Sequence, residues 1–301
     1  MDNQVTIDRP LKIAVASGKG GTGKTSVAVN MALASDRNIS LLDCDVEAPN
    51  SHLFFQKDSD SEDARHDEFF DSIEEFYVSI PEFNDDLCNG CGICKNTCKF
   101  NAITIILNKP LFFAELCHSC EACFKVCPVG AIAPAKKMIG KIRRKKINDK
   151  LSLTDGILNV SEAKSPPLIK KIVKTYAGNE LCIIDAPPGT SCPVVAASYS
   201  ADYAILITEP TPFGLSDLKL AVDTLRQLKI KFGVVINKYD GDFGEVKKYC
   251  EDEKIELLGI IPFDIKIAQI YSKGGIIVNE LPFMRDLFSK ILEKAISEAV
   301  K

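Results

Sequence analysis

Apolar runs recur along this chain at intervals that predict most of a sheet. Leu11–Ala16, Ile39–Asp43, Leu181–Asp185, Tyr203–Thr208, Phe232–Asn237 and Glu256–Ile261 are nearly all apolar. That is the pattern of strands covered on both faces, as in a parallel sheet, and not the alternation of a half-exposed one. Helix-forming stretches lie between them, at Ser26–Ala34, Gly214–Lys229 and Asp242–Glu253, as parallel crossovers require. In the last segment, Pro282–Lys301, the apolar positions from Met284 to Ile296 share one face. A membrane-surface helix is one reading of it, but its charges nearly cancel, and a helix packed on the sheet is expected. The fold class expected is α/β, with a mostly parallel sheet.

The alternation stops after the second strand and is not expected to resume until about Leu181. Charge changes the picture inside this gap. Residues Lys57 to Asp86 hold twelve acidic side chains against two basic ones, and Lys136 to Lys146 hold seven basic side chains in eleven positions. Three readings stand: two solvated connecting faces, a docking surface for an acidic redox partner, or contact between the two stretches. Met138, Ile139, Ile142, Ile147 and Leu151 punctuate the basic run, which predicts short strands there.

Between the charged stretches lie eight of the chain's twelve cysteines. Cys88, Cys91, Cys94 and Cys98 read C-x2-C-x2-C-x3-C, and Cys117, Cys120, Cys123 and Cys127 repeat it, with Pro128 following. Two-residue spacers let a tight loop wrap three corners of an iron–sulfur cubane, with the fourth thiolate arriving from elsewhere. Zinc is the rival, because C-x2-C pairs also build ribbons, but zinc does not need this spacing twice over. Cys44, Cys182 and Cys250 read as plain thiols.

At 301 residues, 46% hydrophobic and 26% charged, the chain has room for one large α/β domain and a small inserted module. The net charge of −4 argues against nucleic-acid binding through the whole surface. No apolar run reaches the roughly 18 residues of a membrane span. Met1 to Pro10 lacks a basic-then-apolar leader, so the expected location is the cytoplasm.

Gly18-Lys19-Gly20-Gly21-Thr22-Gly23-Lys24-Thr25 fits the phosphate-binding loop G-x-x-x-x-G-K-[ST]. The backbone of Gly20, Gly21, Thr22 and Gly23, running into Ser26, turns N–H groups toward phosphate oxygens. The following helix adds its positive end. Lys24 supplies a cation for the β- and γ-phosphates, and the Thr25 hydroxyl is a natural Mg2+ ligand.

With Lys19 near its front, the loop resembles the deviant Walker A of the superfamily that includes MinD, ParA, Mrp-type carriers and the nitrogenase iron protein. Asp43-Cys44-Asp45 resembles that family's first switch, and Asp185-Ala186-Pro187-Pro188-Gly189 its Walker B and second switch. Asn237-Lys238 is similar to the purine-reading position, and Pro262 to the loop bracketing the adenine. The resemblance implies a P-loop ATPase of the MinD and nitrogenase iron protein type, binding ATP or ADP with Mg2+. It implies that Asp45 positions the attacking water, that Asp185 acts on Mg2+ through water, and that Lys19 reaches the phosphates of a dimer partner. The insert resembles a small α+β bacterial-type ferredoxin domain with two [4Fe–4S] clusters. Ferredoxins cross their ligands, which implies Cys88, Cys91, Cys94 and Cys127 on one cluster and Cys117, Cys120, Cys123 and Cys98 on the other.

The division that follows is 1–75 for the first part of the ATPase, 76–136 for the insert and 137–301 for the second part. Cys192 lies where the nitrogenase iron protein has a cluster-bridging cysteine. The second cysteine of such a bridge is missing, so a thiol packed near the switch is expected. The function implied is an ATPase whose nucleotide state gates electron transfer to a partner metalloprotein. It would work as a homodimer or as a heterodimer with a paralogous ATPase, with no nucleic acid and no membrane span. An ATP-dependent scaffold or carrier of clusters is the alternative. A MinD-like positioning ATPase is a further one, for which the chain lacks a tip helix or a basic surface.

Overall fold

A computed structural model describes residues 9–56, 67–178, 180–241 and 243–301. Its strands are β1 (Leu11–Ala16), β2 (Ile39–Asp43), β3 (Ser72–Phe83), β4 (Ile103–Ile106), β5 (Lys109–Phe112), β6 (Ile132–Lys146), β7 (Leu151–Leu158), β8 (Leu181–Asp185), β9 (Tyr203–Thr208), β10 (Phe232–Tyr239) and β11 (Glu256–Pro262). Its helices are α1 (Lys24–Ala34), α2 (Ile93–Thr97), α3 (Ala122–Val126), α4 (Ser165–Tyr176), α5 (Cys192–Ser198), α6 (Pro212–Leu228), α7 (Glu245–Asp252), α8 (Ile265–Ser272), α9 (Ile277–Glu280) and α10 (Pro282–Val300). Nine strands form one sheet in the order β11-β10-β9-β1-β8-β2-β7-β6-β3, while β4 and β5 make a separate hairpin. The sheet is parallel from β11 to β7, and β6 and β3 add an antiparallel ribbon at its edge.

The expected strands stand where the apolar runs lie, because each is sealed on both sides. Along β1, Leu11, Ile13 and Val15 enter one core with α1 and α10, while Ala14 and Ala16 enter the other with α4 to α7. Cys44, Cys182 and Cys250 are buried thiols of that second core. The last helix packs on the sheet through Met284, Phe288, Ile291 and Ala295. α6 begins at Pro212 because Thr211 caps it, its hydroxyl accepting from the Gly214 N–H at 3.0 Å. The helix expected from Asp242 starts at Glu245, and Asp242 itself lies outside the described residues. No helix among the described residues is long and apolar enough to cross a membrane.

Two expectations need correction. The α/β alternation resumes well before Leu181, at β7 and α4. Thr154, Asp155 and Gly156 interrupt the apolar run of β7, and α4 opens on Ser165-Pro166-Pro167, so neither carries a clean periodic signal. The basic run forms no short strands. It is part of β6, which pairs with β3 from Ser72↔Arg144 to Phe83↔Ile132. Contact between the two charged stretches, one of the three readings, is realised among the described residues. Lys141 Nζ lies 3.1 Å from Asp67, and Lys145 Nζ lies 2.8 Å from Asp71. Residues 57–66 of the acidic stretch, like the N-terminal positions 1–8, lie outside the described residues.

A buried ion pair ties this ribbon to the parallel sheet. Arg143 of β6 donates from Nε and Nη2 to the two oxygens of Asp155 on β7, both at 2.9 Å. Neither side chain is more than 3% exposed, and the guanidinium lies 4.3 Å above the Phe70 ring. Removing one partner of such a pair strands the other charge in the core. Arg143→Ala should therefore cost about 3–5 kcal/mol in denaturant unfolding, with Arg143→Lys recovering only part because it lacks the planar fork. A loss below about 1 kcal/mol would mean that Asp155 is compensated elsewhere.

Candidate functional site

Three parallel strands bring aspartates into one row, two of them at strand ends. Asp43 closing β2 pairs in register with Asp185 closing β8 on one side and with Asp155 of β7 on the other. All three are buried, and neighbouring strands lie only about 4.8 Å apart. Each carboxylate is compensated differently. Asp155 holds Arg143. Asp43 accepts backbone N–H bonds from Asp45 at 3.1 Å and from Asn50 and Ser51 at 2.9 Å, which fixes the segment after β2. Asp185 has neither oxygen in a good hydrogen bond among the described residues, although the Thr25 hydroxyl is close enough to ease its charge. Burial, then the charge of Asp43, pushes the Asp185 carboxyl well above the usual carboxylate range. An orphaned buried carboxylate beside a threonine hydroxyl is the donor set a divalent cation wants, so the residues fit Mg2+.

Lys24 faces this row from the start of α1. Burial lowers its proton affinity, and Asp185, Asp45 and Asp43 work against that. Asp45 is half-buried, and its pKa rises to about 6, through burial first and the charge of Asp43 second. Gly23 precedes α1 in the left-handed region (φ 89°), where Asn237 leaves no room for a Cβ.

The loop is braced from the end of β10. Asn237 Nδ2 donates to the Thr22 carbonyl at 2.7 Å, and Lys238 Nζ donates to the Gly21 carbonyl at 3.1 Å. Asn237, expected to read a purine, thus uses one amide proton on the loop itself while still lining the cleft. Lys19, expected to reach a second copy, pairs within its own chain with Glu209 at 3.0 Å, and Glu209 also holds Lys238 at 2.7 Å. A cleft of about 510 Å³ opens beside the loop, and Asp45, Pro188, Pro262, Phe263 and Tyr271 help to line it. That size is ordinary for a small-molecule site.

The cysteine module hangs between β3 and β6 and repeats itself at an offset of 29 residues. Gly90 and Ser119, Gly92 and Glu121, and Asn101 and Gly130 are matching positions, all with positive φ. α2 matches α3, and the Phe113 N–H to Ala102 carbonyl bond matches that from Asn84 to Ala131, both at 2.8 Å. The return between the runs is the β4–β5 hairpin. The module's interior is small and shared between cysteines and a few large apolar side chains. In its apolar cluster Cys94, Ile103 and Ile132 are buried, with Cys98, Cys123, Cys127 and three phenylalanines packed around them, and Ala102, Cys117 and Ala131 are buried beside it. So small an apolar core holds little by itself, and an inorganic cluster core fits the remaining need. Cys88, Cys91, Cys94 and Cys127 line one cavity together, which is the crossed set expected for the first cluster. Backbone N–H groups already point at sulfur, from Ala131 to Cys127 at 3.2 Å and from Ser119 to Cys117 at 3.4 Å. Among the described residues no three His, Cys, Asp or Glu side chains are grouped to hold a single metal ion.

Cys192 begins α5 as an exposed thiol. Asp155, Arg143 and Glu209 went unassigned in the sequence, although an aspartate within an apolar strand is a usable signal of a buried charge pair.

Comparison with known proteins agrees with this arrangement. The model of the CobQ/CobB/MinD/ParA nucleotide binding domain matches residues 13–277. An uncharacterized protein of Methanocaldococcus jannaschii is 37% identical over 289 residues, covering 94% of this chain and 96% of its own. An iron-sulfur cluster carrier protein of Pyrococcus horikoshii is 26% identical, over 95% of this chain and 86% of its own. The septum site-determining protein MinD of the same organism, solved with Mg-ADP, superposes with a TM-score of 0.56 at 20% identity, covering 95% of each chain, and so shares the fold. The chain belongs to the CobQ/CobB/MinD/ParA family of nucleotide-binding domains.

Proposed function

We propose that this protein is an ATPase whose nucleotide state gates electron transfer through two [4Fe–4S] clusters to a partner metalloprotein. The observation that carries the reading is the aspartate row. Asp185 lies beside Lys24 and Thr25 of the phosphate loop, Asp43 fixes the segment after β2, and Asp155 holds the ribbon that bears the cysteine module. A charge placed at or removed from one end is therefore felt on the strand that anchors the other.

In the nucleotide site, Lys24 would neutralise the β- and γ-phosphates, while Thr25 and Asp185 would hold Mg2+, directly and through water. Asp45 would orient the water whose oxygen bonds to the γ-phosphorus as the bond to the ADP oxygen breaks. Lys19 would leave Glu209 for the phosphates of a second copy, whether identical or paralogous. Each cluster, when bound, supplies reversible one-electron storage; Cys88, Cys91, Cys94 and Cys127 would hold the first, and Cys98, Cys117, Cys120 and Cys123 the second. A cluster carrier is the second reading, supported by the name of the Pyrococcus horikoshii relative and by the exposure of Cys91 and Cys120.

Redox titration followed by EPR, with and without ATP, separates the two. Gating requires ATP-dependent potentials or transfer rates, and identical values would sink it. Iron lost to an apo-acceptor upon ATP addition would favour the carrier. Lys24→Ala should abolish ATP turnover while leaving about eight iron atoms per chain, measured by phosphate release and iron assay. Parallel loss of both would show the sites to be inseparable.

Asp45 also predicts a pH effect in the nucleotide- and magnesium-free protein. Its folded pKa of about 6 lies above the ordinary 3.8, so the folded state binds the proton more tightly than the unfolded one. The stability this contributes is present below pH 3.8 and is lost as pH rises through about 6. Asp43, Asp185 and Glu47 supply the surrounding negative charge, and Lys24 opposes them. Asp45→Asn should gain about 1–2 kcal/mol over the wild type between pH 4 and pH 7, allowing for solvent screening. Denaturant melts at both pH values measure it, and a pH-independent difference would contradict it.

A further inference from the structure

The two cysteine runs are near copies, yet their surroundings differ. The cavity of the first run is lined by residues that all fall between Phe83 and Ile132, within the module. The second run faces the ATPase. His118, between Cys117 and Cys120, stacks on Phe100 at 3.8 Å and lines a cleft of about 450 Å³ with Glu47, Lys164, Ser165 and Cys192. That cleft shares Glu47, Ser165 and Pro193 with a smaller one of about 130 Å³, which reaches Asp45, Pro188 and Ser191. A continuous groove thus runs from the expected catalytic aspartate, between the two switch segments, to the rim of the second cysteine run.

One side chain bolts the module down at this point. Lys164 is 8% exposed and donates from Nζ to the Ala114 carbonyl at 2.8 Å, in the turn that leads into Cys117. Its charge is met by Glu162 at 3.6 Å, and Glu162 also pairs with Lys137 of β6 at 2.8 Å. Both strands of chain that flank the second run are therefore held by one acid–base cluster at the entrance to α4. Among the described residues the matching positions of the first run make no such contact. Asp85, the counterpart of Ala114, pairs at the surface with Lys109 of the module, and Asn89, the counterpart of His118, accepts from the Cys91 N–H.

We infer that the two cluster sites are unequal. The site of Cys98, Cys117, Cys120 and Cys123 is the nucleotide-coupled one, and Lys164 is the residue that positions it against the switches. The site of Cys88, Cys91, Cys94 and Cys127 is the outer one, through which the module exchanges electrons with its partner. This rests on the proposed reading of nucleotide-gated redox and adds a direction to it. A shift of either switch changes the groove wall at Glu47 or Pro193, and Lys164 transmits it to the Ala114–Cys117 turn. Coupling of this kind needs a contact that differs between nucleotide states, and the groove places the second run, but not the first, beside the segments that would move.

The test uses the full-length, cluster-loaded protein under anaerobic conditions, with Mg-ADP or a non-hydrolysable ATP analogue. In the wild type one cluster's reduced-to-oxidised ratio, read by EPR at fixed ambient potential, should change about fivefold or more between the two nucleotides. The other cluster's ratio should stay put. Lys164→Met should abolish the response with iron content and nucleotide affinity retained, and Lys164→Arg should restore it in part. His118→Asn should alter the EPR signal of the responding cluster, and Asn89→His that of the silent one. Hydrogen exchange at Ala114–His118 should depend on nucleotide in the wild type and not in Lys164→Met. A response that survives Lys164→Met, or that follows Asn89 and not His118, overturns the inference while leaving gating intact. Should Lys164→Met lose iron, the His118 and Asn89 pair still decides the assignment. Nucleotide-independent ratios for both clusters in the wild type overturn the gating reading itself.

Discussion

The arrangement of this protein depends on three carboxylates that parallel strands force side by side. Asp185, Asp43 and Asp155 share one register across β8, β2 and β7, so their separation is set by the sheet and cannot relax. Buried like charges at this spacing are tolerable only if each finds a separate partner. The sheet end answers with a bidentate arginine for Asp155 and a fan of backbone N–H groups for Asp43, while Asp185 has only the nearby Lys24 and Thr25 hydroxyl and is left to a cation on the proposed reading. The phosphate loop, the first switch and the ribbon to the cysteine module are therefore parts of one electrostatic arrangement. They sit at the carboxyl ends of the strands, where open α/β sheets place their ligands.

How much of this was legible follows from which interactions are local. β1, β2, β8 and β9 were readable to the residue because burial on both faces leaves an unbroken apolar run. The phosphate loop and the cysteine spacing were readable because both are short-range geometry written in glycine and sulfur. β7 was not, since its central Asp155 makes sense only once Arg143 is known to lie opposite, twelve residues upstream on another strand. The basic run misled for the same reason. Its lysines and arginines look solvated until the segment before β3 supplies Asp67 and Asp71. Lys164 shows the limit most plainly, because its partner is a backbone carbonyl fifty residues away, which no side-chain pattern encodes.

The ribbon also answers a topological need. A parallel sheet that simply ended at β7 would expose a row of unpaired backbone groups. β6 covers that edge, and β3, which becomes the new edge, carries Glu74 and Glu75 and a proline, features that discourage pairing with other chains. The module is thus grafted through two long paired strands and not through flexible linkers, and its tilt is fixed by the sheet's own hydrogen bonds. Flexible linkers would have let the cysteine runs wander independently of the nucleotide. Paired strands let the module move only as the sheet edge, Arg143 and the Lys164 cluster allow.

The phosphate loop shows a comparable economy of motion. Asn237 and Lys238 hold the Thr22 and Gly21 carbonyls outward, so the loop's N–H groups are set before any phosphate arrives, which is the preorganisation that phosphoryl transfer rewards. Lys238 is held in the left-handed region to do so (φ 56°), a strained conformation for a lysine. Glu209 balances both Lys238 and Lys19. Burial works to raise its pKa, and the two lysines outweigh that and keep it low. The Lys19 pair is partly open to solvent, so releasing that lysine costs no more than about 1 kcal/mol, while Glu209 stays neutralised by Lys238. On the proposed reading, a triphosphate carried on a second copy would offer Lys19 several charged oxygens in place of one carboxylate. The balance would then tip toward the partner with the loop itself unmoved, so dimerisation would disturb neither the braced loop nor the aspartate row behind it.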